Sequence, residues 1–406
     1  MIIVFLYSIS SAQNARVEAL GGNFILDDVG KVAGYPASGN SYGDFVQASS
    51  YFDGSFGPAI GVKKLGEWGA VGIIANQGST LLSNFYTDAK TFLDSLNPST
   101  DSLPSSIISY PHLLFTFRLS RFSIGFDFFY ELSNTKYSYM SNNQTMNHYN
   151  ARITNWGGLI SAGIDFGVIS VHPIIDFSFP KVAGEALIEI GEPLEKRGTV
   201  TNQSFAYGGG LEIDAGFSAI NLCIGAYLSN EMYKFYREQK YMIYSPKYQS
   251  LLLNGYCGLE AWPSDHLMLS LGYSIDNMTD KSITQDSVSG GHFTINNVFI
   301  TTTNFIVASA EYVVKENRIV DALAFRGGIN WSLTNKQYKY QLDSASYSDH
   351  EEIRLPSVMS DVSPTIGIGI EKFGFILDLS AKLGEWSGIL SGPSVVMGTL
   401  TYRYKK

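Results

Sequence analysis

Apolar side chains recur at every second position through most of this chain. In RFSIGFDFFYELS, residues 121 to 133, Phe122, Ile124, Phe126, Phe128, Tyr130 and Leu132 share one phase, and Ser123, Gly125, Asp127, Phe129, Glu131 and Ser133 share the other. Successive side chains of a strand point to opposite faces, so this stretch predicts a strand with one apolar face and one mostly polar or acidic face. The same period returns in VISVHPIIDFSF (168–179), FAYGGGLEIDAGF (205–217), HLMLSLGYSID (266–276) and GFILDLSAKL (374–383). Such runs exceed the five or six residues usual for a globular strand, and their polar phase is rich in Gly and Ser rather than Lys and Glu.

The connections alternate in length. Short turns are expected at KLGEWG (64–69), LSR (119–121), FGV (166–168), GFSA (216–219), WPSDH (262–266), KENR (315–318) and KFG (372–374). Between them lie longer polar stretches near 79–105, 136–150, 183–201, 237–247, 282–296, 341–358 and 385–392, which read as loops. Strict turns of short and long connections are the pattern of an all-β transmembrane antiparallel β-barrel with short periplasmic turns and longer external loops. The count is about fourteen strands, or about sixteen if the first hairpin, near Asp44 to Lys64, belongs to the wall rather than to a plug. Either total is even and leaves both termini on the periplasmic side. A large soluble β-protein is the alternative.

Composition supports the barrel. Of 406 residues only 16% are charged and 14% are aromatic, with 25 Tyr and 25 Phe, where a soluble domain carries about a quarter charged residues. No apolar run is long enough for a membrane-spanning helix. The net charge of -9 without a basic block argues against nucleic acid as a partner. On the phase that would face the barrel interior, acids outnumber bases by more than two to one. That set reads either as an ion-pair network that stiffens the wall or as a cation-favouring passage. Cys223 and Cys257 fall on opposite phases of their strands, so they should face opposite sides of the sheet and remain unpaired.

The first residues, MIIVFLYSISSAQNAR, carry a short apolar core and the small residues Ser10 and Ala12, which describe an export signal over residues 1–12, although the usual basic start is missing; a buried first strand is the other reading. Residues 13–42 would follow as a plug, and residues 43–406 as the barrel. Gly21, Gly22, Gly30, Gly34 and Gly39 allow tight reversals in a confined lumen. Asp27 and Asp28 could pair with interior arginines such as Arg118, Arg326 or Arg403, or simply cap a turn in water. Phe24, Ile25 and Leu26, with lumen-facing aromatics such as Phe129 and Tyr227, would either offer an apolar pocket to a hydrophobic ligand or pack against the wall.

ARVEALGGNFILDDVGKVAGYPASG, residues 15–39, resembles the start of the mature FadL-type family of outer-membrane barrels. The residues that carry the likeness are Ala15, Arg16, Leu20, Gly21, Gly22, Asp27, Asp28, Val29, Pro36 and Ala37; Tyr35 and Ser38 depart from the family pattern. FVQASSYFDGSFGPAIGVKKLGEWGAVGIIA, which follows, looks like that family's opening hairpin and third strand. The resemblance implies a bacterial outer-membrane protein whose N-terminal segment is a hatch inside the barrel, and passive transport of small hydrophobic molecules. Related barrels serve secretion machinery, so a structural or secretion-accessory barrel that binds a protein partner is the alternative.

No chemistry of another kind stands out. None of the six histidines has a metal-ligand spacing with Cys or another His, and no nucleotide-binding or hydrolase motif occurs. The acidic stretch 343–352 reads as a solvated loop, with surface calcium as the other reading. The chain is therefore expected to be no enzyme and to use no cofactor or metal, with outer-membrane lipid as its surroundings.

Overall fold

The alternating runs are strands of one sheet. The computed structural model describes residues 15–20, 29–51, 56–75, 108–109, 111–141, 145–189, 195–239, 242–244, 247–288, 291–315, 320–344, 348–383 and 393–404. The strand segments are β1 (Phe45–Tyr51), β2 (Phe56–Lys64), β3 (Gly69–Ala75), β4 (Ile108–Ser109), β5 (His112–Leu119), β6 (Phe122–Ser141), β7 (Thr145–Asp165), β8 (Ile169–Glu189) and β9 (Glu195–Phe217). They continue as β10 (Ile220–Gln239), β11 (Met242–Tyr244), β12 (Lys247–Ser264), β13 (Leu267–Val288), β14 (Gly291–Lys315), β15 (Ala322–Ser344), β16 (Ser348–Lys372), β17 (Phe375–Leu383) and β18 (Pro393–Arg403).

β4 and β5 both pair with β6, with a one-residue shift between them, and form a single strand; β11 and β12 pair with β10 in one register and form another. The 18 segments are therefore 16 strands, every pairing antiparallel between chain neighbours. Phe45↔Arg403 to Tyr51↔Met397, between β1 and β18, closes the cylinder. The first hairpin thus belongs to the wall. Closure leaves no edge, so each backbone donor along the ladder has a neighbour to meet. Among the described residues no helix is long and apolar enough to cross a membrane.

The two phases separate as the pattern requires. Ile224, Leu253, Leu271 and Ile366 are each more than half exposed on the outside, while Asp127, Glu131, Asp176, Glu212 and Glu311 are buried on the inside. In the stretch 121–133, Phe122, Phe128 and Tyr130 are outward and Asp127 and Glu131 inward. Aromatic rows flank the aliphatic band. Beside the short turns stand Trp68, Phe166, Phe217, Tyr312 and Phe373, all exposed. Farther up, Trp156, Phe179, Phe205 and Tyr207 form a continuous outer row with ring centroids 4.4, 4.9 and 5.4 Å apart. From Phe217 to Phe205 is about twelve residues, which at ~3.3 Å each and a tilt of ~40° spans ~30 Å, the thickness of a bilayer's hydrocarbon.

Strand length departs from the expectation. The polar stretches at 136–150, 183–201, 237–247, 282–296 and 341–358 are mostly strand rather than loop: pairing continues to Ser141↔Thr145, Met146↔Glu189, Gln239↔Met242, Val288↔Gly291 and Asp343↔Ser348. β6 to β10 and β13 to β16 run 20 to 25 residues, well past the apolar band. Once outside hydrocarbon a ladder needs no apolar phase, so Thr, Tyr, Asn and Ser extend it. Most of the remaining two stretches, 79–105 and 385–392, lie outside the described residues. The short turns bend tightly: Phe373 and Gly374 both have positive φ, 53° and 85°, the geometry of a two-residue hairpin matched to strand twist.

If the outer phase faces hydrocarbon, Leu271→Arg, in the middle of the band, should destabilise the folded barrel by ~2–4 kcal/mol in urea titrations with lipid vesicles. A cost below about 1 kcal/mol would place that side chain in water.

Candidate functional site

The inner wall and the N-terminal segment form the site. The short helix α1 (Ala15–Ala19) and two 3₁₀ turns, Val29–Ala33 and Pro36–Asn40, precede β1. Their partners all belong to the inward phase. Ala15 N donates to Thr399 Oγ1 on β18 (2.8 Å), and Thr365 Oγ1 on β16 donates to the Ala19 carbonyl (2.9 Å). Thr116 Oγ1 on β5 donates to the Pro36 carbonyl (2.5 Å), and Ala37 N donates to Ser161 Oγ on β7 (2.9 Å). Glycine in the wall permits this approach: a β-carbon on Gly125 would overlap Pro36 and Ala37, and one on Gly367 would overlap Ala19. Val32 and Ala33 bury themselves with Phe45, Ile60, Ile74 and Leu114. The segment touches strands on opposite sides of the cylinder, since β18 and β9, where Lys31 binds, lie eight steps apart either way around the sixteen.

Inside, many acids take neutral donors from one or two strands away. Asn155 Nδ2 donates to Glu131 Oε2 (2.7 Å), and its Oδ1 accepts from Ser178 Oγ (2.6 Å). Tyr256 donates to Glu212 Oε2 (2.5 Å), Tyr227 to Asp176, and Asn254 to Asp276. His112 Nδ1 lies 3.0 Å from Asp127 Oδ2, both buried. These contacts give each of these carboxylates a partner for one oxygen, where isolation would be costly.

Cations from the N-terminal segment complete two further clusters. Arg16 Nε lies 3.1 Å from Glu311 Oε2, while Arg326 bonds the same carboxylate and reaches Asp378 Oδ1 at 2.5 Å. Lys31 Nζ lies 2.7 Å from Glu212 Oε1 and 3.7 Å from Asp214 Oδ2, and His172 Nε2 approaches Asp214 at 3.3 Å. Burial works against the Lys31 charge, but Glu212 and Asp214 outweigh it and hold the ammonium pKa well above its ordinary value. Burial, helped by Glu212, pushes the Tyr35 hydroxyl up, so it stays neutral. The carboxylates of Glu212 and Asp214 with the Cys223 thiol have ligand atoms within 4.8 Å of one another, but Lys31 already supplies the cation there.

The residues singled out from sequence divide as follows. Phe24, Ile25, Leu26, Asp27 and Asp28 lie outside the described residues. Phe129 and Tyr227 do face inward. Phe129 stacks on His112 at 5.0 Å and lies over Gly157, and Tyr227 lies over Gly208 on its way to Asp176. Arg326 is at the centre of the Glu311–Asp378 cluster. Arg118 and Arg403 are exposed near the short turns: Arg118 Nε donates to the Ser120 carbonyl (3.3 Å), and Arg403 lines a polar cleft of about 260 Å³ with Arg16, Glu311 and Arg326. Cys223 is buried, Cys257 is exposed on the outer face, and both are free. An apolar recess of about 670 Å³, lined by Ile224, Cys257, Leu271 and Ile306 among others, belongs to the outer band rather than the lumen.

Arg16 and Lys31 were not assigned partners from sequence. Their signal was the excess of acids on the inward phase, which calls for cations from somewhere other than the wall.

No protein-family model matches the chain, and no curated protein matches it. Among solved structures it is similar to the Ralstonia pickettii toluene transporter TbuX, with 12% identity and a TM-score of 0.42 over 97% of this chain and 99% of that one. The CymD monoaromatic hydrocarbon channel gives 11% and 0.41 over 97% and 98%. The Pseudomonas putida toluene transporter TodX gives 10% and 0.39 over 97% and 96%. At these values the similarity assigns neither cargo nor mechanism to this chain.

A group whose folded pKa is raised lends stability that is complete below its unfolded pKa, about 10.4 for lysine, and lost only as pH climbs through the folded value. The gap in urea midpoint between wild type and Lys31→Met should therefore stay constant from about pH 7 to about pH 10. A gap that closes below about pH 9 would mean that Lys31 is not held charged.

Proposed function

We propose that the protein is a channel of the bacterial outer membrane through which small hydrophobic molecules diffuse passively, with residues 13–42 as the hatch. The observation that carries this reading is the N-terminal segment laid across the polar inner wall, tied by Ala15 to Thr399 on β18, by Arg16 to Glu311 on β14 and by Lys31 to Glu212 on β9, the strand opposite β18. A structural barrel would need only the wall. An ion-paired segment set across the lumen is what a barrel wide enough to leak requires if passage is to be controlled. The FadL-type resemblance of residues 15–39 supports the same cargo class. The outer apolar band between aromatic rows supports the membrane location, and an outer membrane is where closed antiparallel barrels of this kind reside.

Passage in this reading is diffusion without catalysis, cofactor or metal. Phe129 and Tyr227 lie flat over Gly157 and Gly208, so they line the lumen without filling it. Phe24, Ile25 and Leu26 would supply the apolar side of the path. Asp27 and Asp28 would remain part of the hatch, while Arg326 and the rim residues Arg118 and Arg403 shape the electrostatics of the wall.

Uptake of a fluorescent long-chain fatty acid and of radiolabelled toluene by cells with and without the protein tests this. The expected result is severalfold slower uptake of at least one probe when the gene is removed, and a leak of small polar dyes when only residues 15–40 are deleted. Unchanged uptake of both probes, together with recovery of a stoichiometric protein partner from detergent extracts, would favour the accessory barrel instead.

A further inference from the structure

The two cations of the N-terminal segment are not equivalent. At the Arg16 end two carboxylates, Glu311 and Asp378, share Arg326, so the wall keeps a cation of its own there. Helix α1 is also held by backbone hydrogen bonds to Thr365 and Thr399 and by Leu20, fully buried beside Met268. At the other end Lys31 faces Glu212 and Asp214, and among the described residues the only other basic group in contact is His172, 3.3 Å from Asp214. The ammonium also stands 5.5 Å from the Tyr35 ring. Beneath this pair lies the Cys223 thiol, buried, free and on the inward phase, grouped with the carboxylates of Glu212 and Asp214.

Removal of Lys31 would leave two carboxylates facing each other in a poorly solvated recess, the arrangement in which a lost partner matters most. Water and small cations would have to enter to compensate.

We propose that Lys31 is a latch over the recess of Glu212, Asp214 and Cys223: while helix α1 and the Pro36–Asn40 turn both stay seated on the wall, its ammonium gives way to water and free cations at the two carboxylates and uncovers Cys223. The meaning of this exchange as gating rests on the channel reading; its test does not, because it needs no cargo.

The protein carries its own probe. Cys223 faces the lumen and Cys257 faces hydrocarbon, so a small neutral water-soluble maleimide applied to outer-membrane vesicles should modify only Cys223, and mass spectrometry of the folded barrel counts the adduct. Wild type should label slowly, Lys31→Met about tenfold faster or more, and Lys31→Arg as slowly as wild type. In wild-type vesicles the rate should rise with magnesium concentration, since free cations bind only the open state and draw the equilibrium toward it. This arm needs no variant to fold. Labelling of Lys31→Met at the wild-type rate, of Lys31→Arg at the Lys31→Met rate, or of wild type independently of magnesium would each overturn the latch. Normal labelling behaviour without any transport of hydrophobic probes would leave the latch standing and remove the proposed cargo.

Discussion

Everything in this fold follows from the need to pair each backbone N–H and C=O where water is absent. An open sheet would leave two unpaired edges in hydrocarbon, and an irregular chain would leave many orphaned groups. The ladder from β1 round to β18 and back to β1 removes the edges. Once the cylinder is closed, the strand period of two fixes the rest: one phase must be apolar because it meets lipid, and the other is free to be polar because it does not. Leu253 and Leu271 are on the outside for the same reason that Glu131 and Glu212 can be inside.

The freedom of the inner phase creates a second problem. Carboxylates enclosed by a wall need partners, and here they find them in tiers: amide and phenol groups one or two strands away, Arg326 within the wall, and finally Arg16 and Lys31 from the segment that precedes the barrel. Two cations of the segment thus neutralise part of an anionic wall, beside the apolar contacts of Leu20, Val32 and Ala33 and the hydrogen bonds at Ala15, Ala19, Pro36 and Ala37.

The physical strictness of each constraint decided what could be read in the sequence. The phase of Phe122, Phe128 and Tyr130, the inward placement of Phe129 and Tyr227, and the opposite facing of Cys223 and Cys257 were legible because a one-residue slip would reverse every side chain. The length of the strands was not. Above the apolar band, residues such as Thr199 to Gln203 or Thr284 to Ser287 have the same polar character in a loop as in a ladder, and only pairing with a neighbour tells them apart. The partners of the segment were also hidden. That Lys31 meets Glu212, or that Pro36 rests over Gly125, depends on how a chain about a tenth of the barrel's length crosses the lumen, which no local period encodes. Asp27 and Asp28, expected to seek wall arginines, lie outside the described residues; the pairs seen at Arg16 and Lys31 run from segment cation to wall carboxylate.

The claim beneath all of this is that the outer phase is solvated by hydrocarbon. Cys257, exposed in the middle of that phase, offers the most direct test. A nitroxide attached there, with Cys223 replaced by Ser and the barrel reconstituted in lipid vesicles, should collide freely with dissolved oxygen and hardly at all with a water-soluble nickel chelate in power-saturation measurements. A label reached by the nickel chelate as readily as by oxygen would mean that the apolar face looks into water or against another layer of protein, contradicting the account.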